Sequence, residues 1–227
     1  ELWDWTSWAG PLVNLRNAPR NRRKAEELAD RIVRYRMAQP DRPVVLVGHS
    51  GGSAIAVWAA EALPPGEQVD ALVLLAGAMS HGYDLSEALS KSRRGIASFY
   101  SDRDWLLMGT YVAATMDGEF GASAGRVGFT PPADANVRGD YDKLYQVAWN
   151  EQMDRVGHSG GHFSSSARRF VLTYVAPFVR SPDWSEAFVA RVLRGRPYRP
   201  SDRRMLPPWA PLQRPSASTD TRTDEEP

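Results

Sequence analysis

The chain has no cysteine. That excludes disulfides, thiol nucleophiles and cysteine-based metal sites, and it leaves the redox compartment open. Histidine is scarce as well, with four in 227 residues, so imidazole chemistry must fall to His49, His81, His158 or His162. No apolar run reaches the length of a transmembrane helix. There is no excess of charge either: the net value is +1, so no strong field points to nucleic acid or an anionic membrane as partner. The chain begins at Glu1 rather than methionine, so a preceding signal peptide or domain stays open. Localisation is barely constrained, with the cytoplasm favoured, and the oligomeric state is open.

What is present is enough length for one domain with a real core. The chain is organised around Val44-Val45-Leu46-Val47-Gly48-His49-Ser50-Gly51-Gly52. A β-branched run enters a Gly-His-Ser-Gly-Gly turn, and an Ala-rich helical pattern follows at once. This is the strand–turn–helix setting of a nucleophile elbow, G-x-S-x-G. Such a turn forces its serine into a strained backbone conformation and needs small neighbours. Gly48 and Gly51 meet that need, and Gly52 is expected to let the next helix lie close against the strand. The Gly51 N–H then faces an oxyanion formed on the substrate.

The motif alone decides little, since a chain of this length carries G-x-S-x-G by chance about once in ten. Here it occurs twice, the second time as Gly157-His158-Ser159-Gly160-Gly161. Context separates them. Ser50 follows four strand formers, whereas Ser159 follows Glu151-Gln152-Met153-Asp154-Arg155, which is no strand. Ser50 is the candidate nucleophile.

Taken in order, Leu2-Trp3-Asp4-Trp5-Thr6 alternates and predicts a strand, with Trp3, Trp5 and Trp8 as packing and Gly10-Pro11 as its break. Ala25, Leu28, Ala29, Ile32 and Val33 predict a helix over 22–38. A strand over 44–48, apolar throughout, is expected to be covered on both faces. A helix over 51–63, a strand over 69–76, a capping box from Asp84 to Glu87, a strand over 95–101 and a helix from 104 or 105 to 116 follow. Residues 117–142 read as a long loop, 144–149 as the last strand, and Ala167 to Phe178 as the last core helix. The alternation predicts an α/β class: a doubly wound, mainly parallel sheet with helices on both faces, over residues 1–180. Residues 181–194 predict a short helix. Residues 195–227, rich in Pro, Arg and Ser, predict a disordered tail.

A serine nucleophile needs a base, and the base needs an orienting carboxylate. Site residues in such sheets lie just after strands, and behind a G-x-S-x-G elbow the acid and then the base follow the serine along the chain. Asp102 and Asp104 both follow the strand ending near Ser101. Asp104 is preferred because its spacing leaves a turn between strand and acid; Asp102 is the second choice. His49 lies inside the elbow, with its side chain expected to point away from the serine hydroxyl and to pack or hydrogen-bond beneath the turn. His81 precedes the acid. His158 and His162 follow the last strand, and His162, closest to the last helix, is preferred over His158. A His158/His162 metal pair is disfavoured, because Ser159-Gly160-Gly161 would not align two ligands on a helix and no clear third ligand is near. Trp105, Tyr83 and Phe163, near strand ends, are read mostly as core, with an apolar acyl pocket as the alternative.

The pattern resembles the α/β-hydrolase family from about Leu2 to Phe178. Gly48-His49-Ser50-Gly51-Gly52 matches the G-H-S-x-G of its esterases and lipases. Asp104 stands in its strand-then-G-x-x-D pattern, with Ser101 in place of the glycine, and Gly161-His162-Phe163 looks like its G-H-F. The resemblance implies a serine hydrolase of ester or other acyl bonds acting on a small-molecule substrate, without metal or organic cofactor. It also implies that earlier strands, and the loop supplying a second oxyanion donor, lie before Glu1. Gly77 to Arg94 leaves no room for the large cap domain often inserted there. The alternative is a non-catalytic hydrolase-like domain that binds a ligand or partner.

Overall fold

The computed structural model describes residues 1–6, 17–133 and 140–195. Trp8, the Gly10-Pro11 break and the 196–227 tail lie outside the described residues. Helix α1 (Ala18–Ala38) comes first, then β1 (Val45–His49), α2 (Gly51–Glu61), β2 (Ala71–Leu75), α3 (Ser86–Ser90) and β3 (Ile96–Tyr100). A 3₁₀ turn (Leu106–Gly109), α4 (Thr110–Ala113) and α5 (Ala124–Val127) lead to β4 (Leu144–Ala148). The chain closes with α6 (Glu151–Asp154), a 3₁₀ turn (His162–Ser166), α7 (Arg168–Phe170), a π-helical turn (Val171–Val175), α8 (Ala176–Arg180) and α9 (Glu186–Leu193).

The four strands form one parallel sheet in the order β1-β2-β3-β4. Side-chain alternation divides the core in two. Val45, Ala71, Val73, Leu75, Ala97, Phe99 and Val147 meet the C-terminal helices through Phe170, Tyr174, Phe178 and Phe188. Leu46, Leu72, Leu74 and Ile96 meet α1, α2 and α3 on the other face. All five residues of β2 are buried, which is why it reads as an unbroken apolar run. Phe99 is held edge-on by Phe170 and Phe178, with ring centroids 5.7 and 5.8 Å away. Burying an aromatic of this kind is worth about 1.5–3 kcal/mol.

The parallel α/β architecture is as predicted, with helices on both faces. The strand order, however, runs one way only, so the reversal of a doubly wound sheet does not occur among the described residues. β1 has a single neighbour there, and Val47 is 50% exposed, so this strand is not covered on both faces as predicted.

Residues 2–6 form no strand, since no neighbour pairs with them among the described residues. Their alternation survives as packing, with Trp3 and Trp5 half-buried against the core. Helix α1 starts at Ala18, four residues before the predicted 22 and ahead of an apolar stripe that begins at Ala25. The Asn17 side chain accepts from the Arg20 N–H at 3.2 Å, and a proline sits in the first turn. Asp84 does not build a capping box. It accepts from the Ser86 N–H and hydroxyl two residues on, an Asx turn ahead of α3. The helix expected up to Met116 stops at Ala113, because Ala114 takes φ +60°. The last core helix widens into its π turn just before Pro177. That proline has no N–H and its ring would crowd the carbonyl four residues back.

No helix among the described residues is long and apolar enough to cross a membrane.

Candidate active site

Ser50 sits between β1 and α2 with φ +53° and ψ −123°. A non-glycine residue in this region costs about 1–3 kcal/mol. The turn is pinned by the Ser50 N–H donating to the Leu75 carbonyl at 2.9 Å, and by the Ala78 N–H donating to the Ser50 carbonyl at 3.2 Å. Gly48 is the residue that allows the close approach. A Cβ there would stand 2.5 Å from the Gly52 carbonyl oxygen. Gly52, expected to serve that purpose, would meet only the Trp5 Nε1 at 3.5 Å, an ordinary contact. The Gly51 N–H, in the first turn of α2, has no acceptor among the described residues. It is one of the unfilled donors of a helix N-terminus.

Asp104 and His162 meet. His162 Nδ1 and Asp104 Oδ2 lie 2.8 Å apart, and both residues are buried, at 5% and 1% exposure. The carboxylate is held by its own turn. Its N–H donates to the Ser101 carbonyl at 3.1 Å, and its Oδ1 accepts from the Leu107 N–H at 3.2 Å. Ser101 contributes through its hydroxyl, which accepts from the Arg103 N–H at 3.2 Å. A serine where the motif has glycine therefore tightens the turn that presents the acid.

The second choices lie elsewhere. The Asp102 side chain is exposed. His158 is buried against Phe170, with ring centroids 4.4 Å apart, and its Nδ1 lies 2.8 Å from the Ser164 hydroxyl. Burial pushes the His158 imidazole down to about 4, against the opposing pull of Asp104 and Asp154. It is therefore neutral in the folded chain near pH 7. The unfolded chain takes up this proton near 6.5, so the associated stability is complete above that pH and is lost as pH falls towards about 4. His158→Gln is expected to flatten the thermal midpoint against pH across this window. An unchanged slope would count against the assignment.

His49 has a more specific place than its sequence suggested. As the parity of β1 requires, it faces the side of the C-terminal helices, and its Nε2 lies 3.0 Å from the His162 carbonyl oxygen. The two imidazoles have centroids 4.9 Å apart. Burial holds His49 below its ordinary pKa; the adjacent His162 acts the same way, while the carbonyl hydrogen bond and Asp104 oppose it. Strand β1 and the turn that carries His162 are thus joined through the residue beside Ser50. No hydrogen bond joins Ser50 Oγ to His162 among the described residues.

His158 and His162 turn to different partners, and among the described residues no group of three or more His, Asp or Glu could hold a metal ion. The aromatics read as core are mostly not core: Trp105 and Phe163 are each 72% exposed. Met108 (52%), Tyr111 (51%) and Phe120 (70%) are exposed in the segments after Asp104. Tyr83 is half-buried, accepting from the Trp58 Nε1 at 3.1 Å and donating to the Glu61 carboxylate. It borders an open polar cleft of about 500 Å³ with Arg22, Ser80, Asp84 and Asp117. Burial pushes the Glu61 carboxyl up to about 7. No family model, curated protein or solved structure matches the chain.

Proposed function

We propose that the chain is a serine hydrolase of the α/β-hydrolase type, cleaving an ester or another acyl bond. The observation that carries this reading is the buried 2.8 Å contact between His162 Nδ1 and Asp104 Oδ2, beside an elbow whose serine is backbone-strained. Asp104 accepts from Nδ1–H and so leaves Nε2 unprotonated, the tautomer a general base needs. Ser50 Oγ attacks the acyl carbon as Nε2 takes its proton. The tetrahedral oxyanion lies against the Gly51 N–H. Collapse expels the alcohol, which takes the proton from His162. Water then attacks the acyl-enzyme with the same base, and the acid leaves. The substrate is a small molecule, and neither metal nor organic cofactor enters these steps. Exposed Trp105 and Phe163 beside the acid and base suit an apolar acyl group.

A second reading, a hydrolase-like domain that binds without turnover, is favoured by the missing Ser50–His162 hydrogen bond. That bond is often long before substrate arrives, so it weighs less than the ordered Asp–His pair.

The test is labelling of the full-length protein with a fluorophosphonate, followed by mass spectrometry of its peptides. The phosphonyl group is expected on Ser50. Recovery on Ser159 would move the nucleophile, and a folded protein that takes no label would favour the binding domain.

A further inference from the structure

We infer that His49 is a positioning residue for His162: its Nε2–H donates to the His162 carbonyl oxygen at 3.0 Å and fixes, from the nucleophile's own strand, the turn that carries the base. This rests on the reading of Ser50 and His162 as nucleophile and base.

The turn needs an outside tether. His162 opens a five-residue 3₁₀ segment, a geometry with weaker hydrogen bonds than an α-helix. Ahead of it lie Gly157 and Gly160, both at φ +91°, and Gly161. Glycines at such angles give the backbone little resistance to small rotations. Asp104 fixes the imidazole at Nδ1 but not the carbonyl end of the residue. Two side-chain donors converge on that carbonyl: Ser165 Oγ at 3.0 Å and His49 Nε2 at 3.0 Å. Ser165 belongs to the same turn and moves with it. His49 belongs to β1, whose next residue is Ser50.

The chemistry of histidine suits the position. A carbonyl only accepts, so Nε2 must carry a proton, and burial, which holds His49 below its ordinary pKa, favours the ring with Nδ1 bare. The ring therefore tethers without charge. A cation at this 4.9 Å spacing would oppose the imidazolium that forms on His162 during acyl transfer. Glutamine can bring an amide N–H to the place of Nε2, whereas asparagine is too short and phenylalanine offers only the ring shape.

The experiment uses the full-length protein and its His49→Gln, His49→Asn and His49→Phe variants. Fluorophosphonate labelling rates are measured against probe concentration. A misplacement of about 1 Å can cost about 10²-fold, so the maximal rate in His49→Phe and His49→Asn is expected to fall about 10–100-fold. The half-saturating probe concentration should stay within about twofold, and His49→Gln should keep its maximal rate within about threefold of wild type. In proton NMR, the far-downfield resonance of the His162–Asp104 proton is expected in wild type and His49→Gln, and broadened by exchange in the other two. Wild-type rates in His49→Phe overturn the tether, as does a loss in His49→Gln as large as in His49→Asn. Should His49→Phe fail to fold, the Gln/Asn pair decides. If wild type takes no probe but the NMR pattern holds, the hydrolase reading fails and the tether stands. If the resonance is the same in every variant, the tether fails.

Discussion

Alanine at Ser50 or at His162 is expected to lower the rate of ester hydrolysis about 10⁴–10⁶-fold, and the double variant to fall no further. In the proposed mechanism the two side chains act on one proton. Without His162, the Ser50 hydroxyl has no base and is a weak nucleophile; without Ser50, the imidazole has nothing to activate. Removing either removes the covalent route, so the second loss has nothing left to take. Residual turnover would come from substrate binding and the Gly51 N–H. The measurement is kcat on a short-chain activated ester for both single variants and the double, each checked for folding by circular dichroism. Losses that multiply in the double variant would mean that the two residues work independently, which the proposed mechanism forbids.

Asp104→Asn is the next largest expected effect, a fall of about 10³–10⁴-fold in kcat. An amide keeps the size and one carbonyl oxygen of the carboxylate, but not its charge. It can also turn its NH₂ towards Nδ1, which stabilises the tautomer with the proton on Nε2, the wrong one for a base. Asp104 has a second partner in the Leu107 N–H, which an asparagine oxygen can still accept, so the stability cost is expected to stay near 1 kcal/mol or below. Asp102→Asn, at an exposed side chain, is the internal comparison and should leave kcat within about twofold. Equal losses at both positions would remove Asp104 from its special role. A large drop in thermal midpoint in Asp104→Asn would show that the carboxylate serves the fold first.

The contrast between these two aspartates shows where sequence reasoning reached. Each candidate was found by its place after a strand, and strands in a buried parallel sheet announce themselves as apolar runs. That is why β1, β2, β3 and β4 were legible to within about two residues at each end, and with them the positions of Ser50, Asp104 and His162. The spacing argument for Asp104 has a physical counterpart in the turn between Ser101 and Leu107. The Asp104–His162 contact followed from what a serine nucleophile would need; contacts outside that chemistry, with partners far along the chain, sequence could not supply. His49 was expected to pack or hydrogen-bond beneath its turn; its partner, the His162 carbonyl, is 113 residues away. Local signals also misled where a tertiary partner was needed to complete them. Residues 2–6 alternate like a strand without a pairing neighbour among the described residues. Trp105 and Phe163 look like core and stand exposed, because apolarity says how a side chain prefers to be placed and not whether the fold has room. Asp84 has the spacing of a capping box, but its carboxylate finds Ser86 first.

The backbone of Ser50 also separates the turn from its side chain. Glycine would occupy φ +53° without steric cost, and the side chain of Ser50 caps nothing in the helix it precedes. The geometry of the elbow therefore gives no reason for a hydroxyl here: Ser50→Gly is expected to keep the turn and to remove only the oxygen atom.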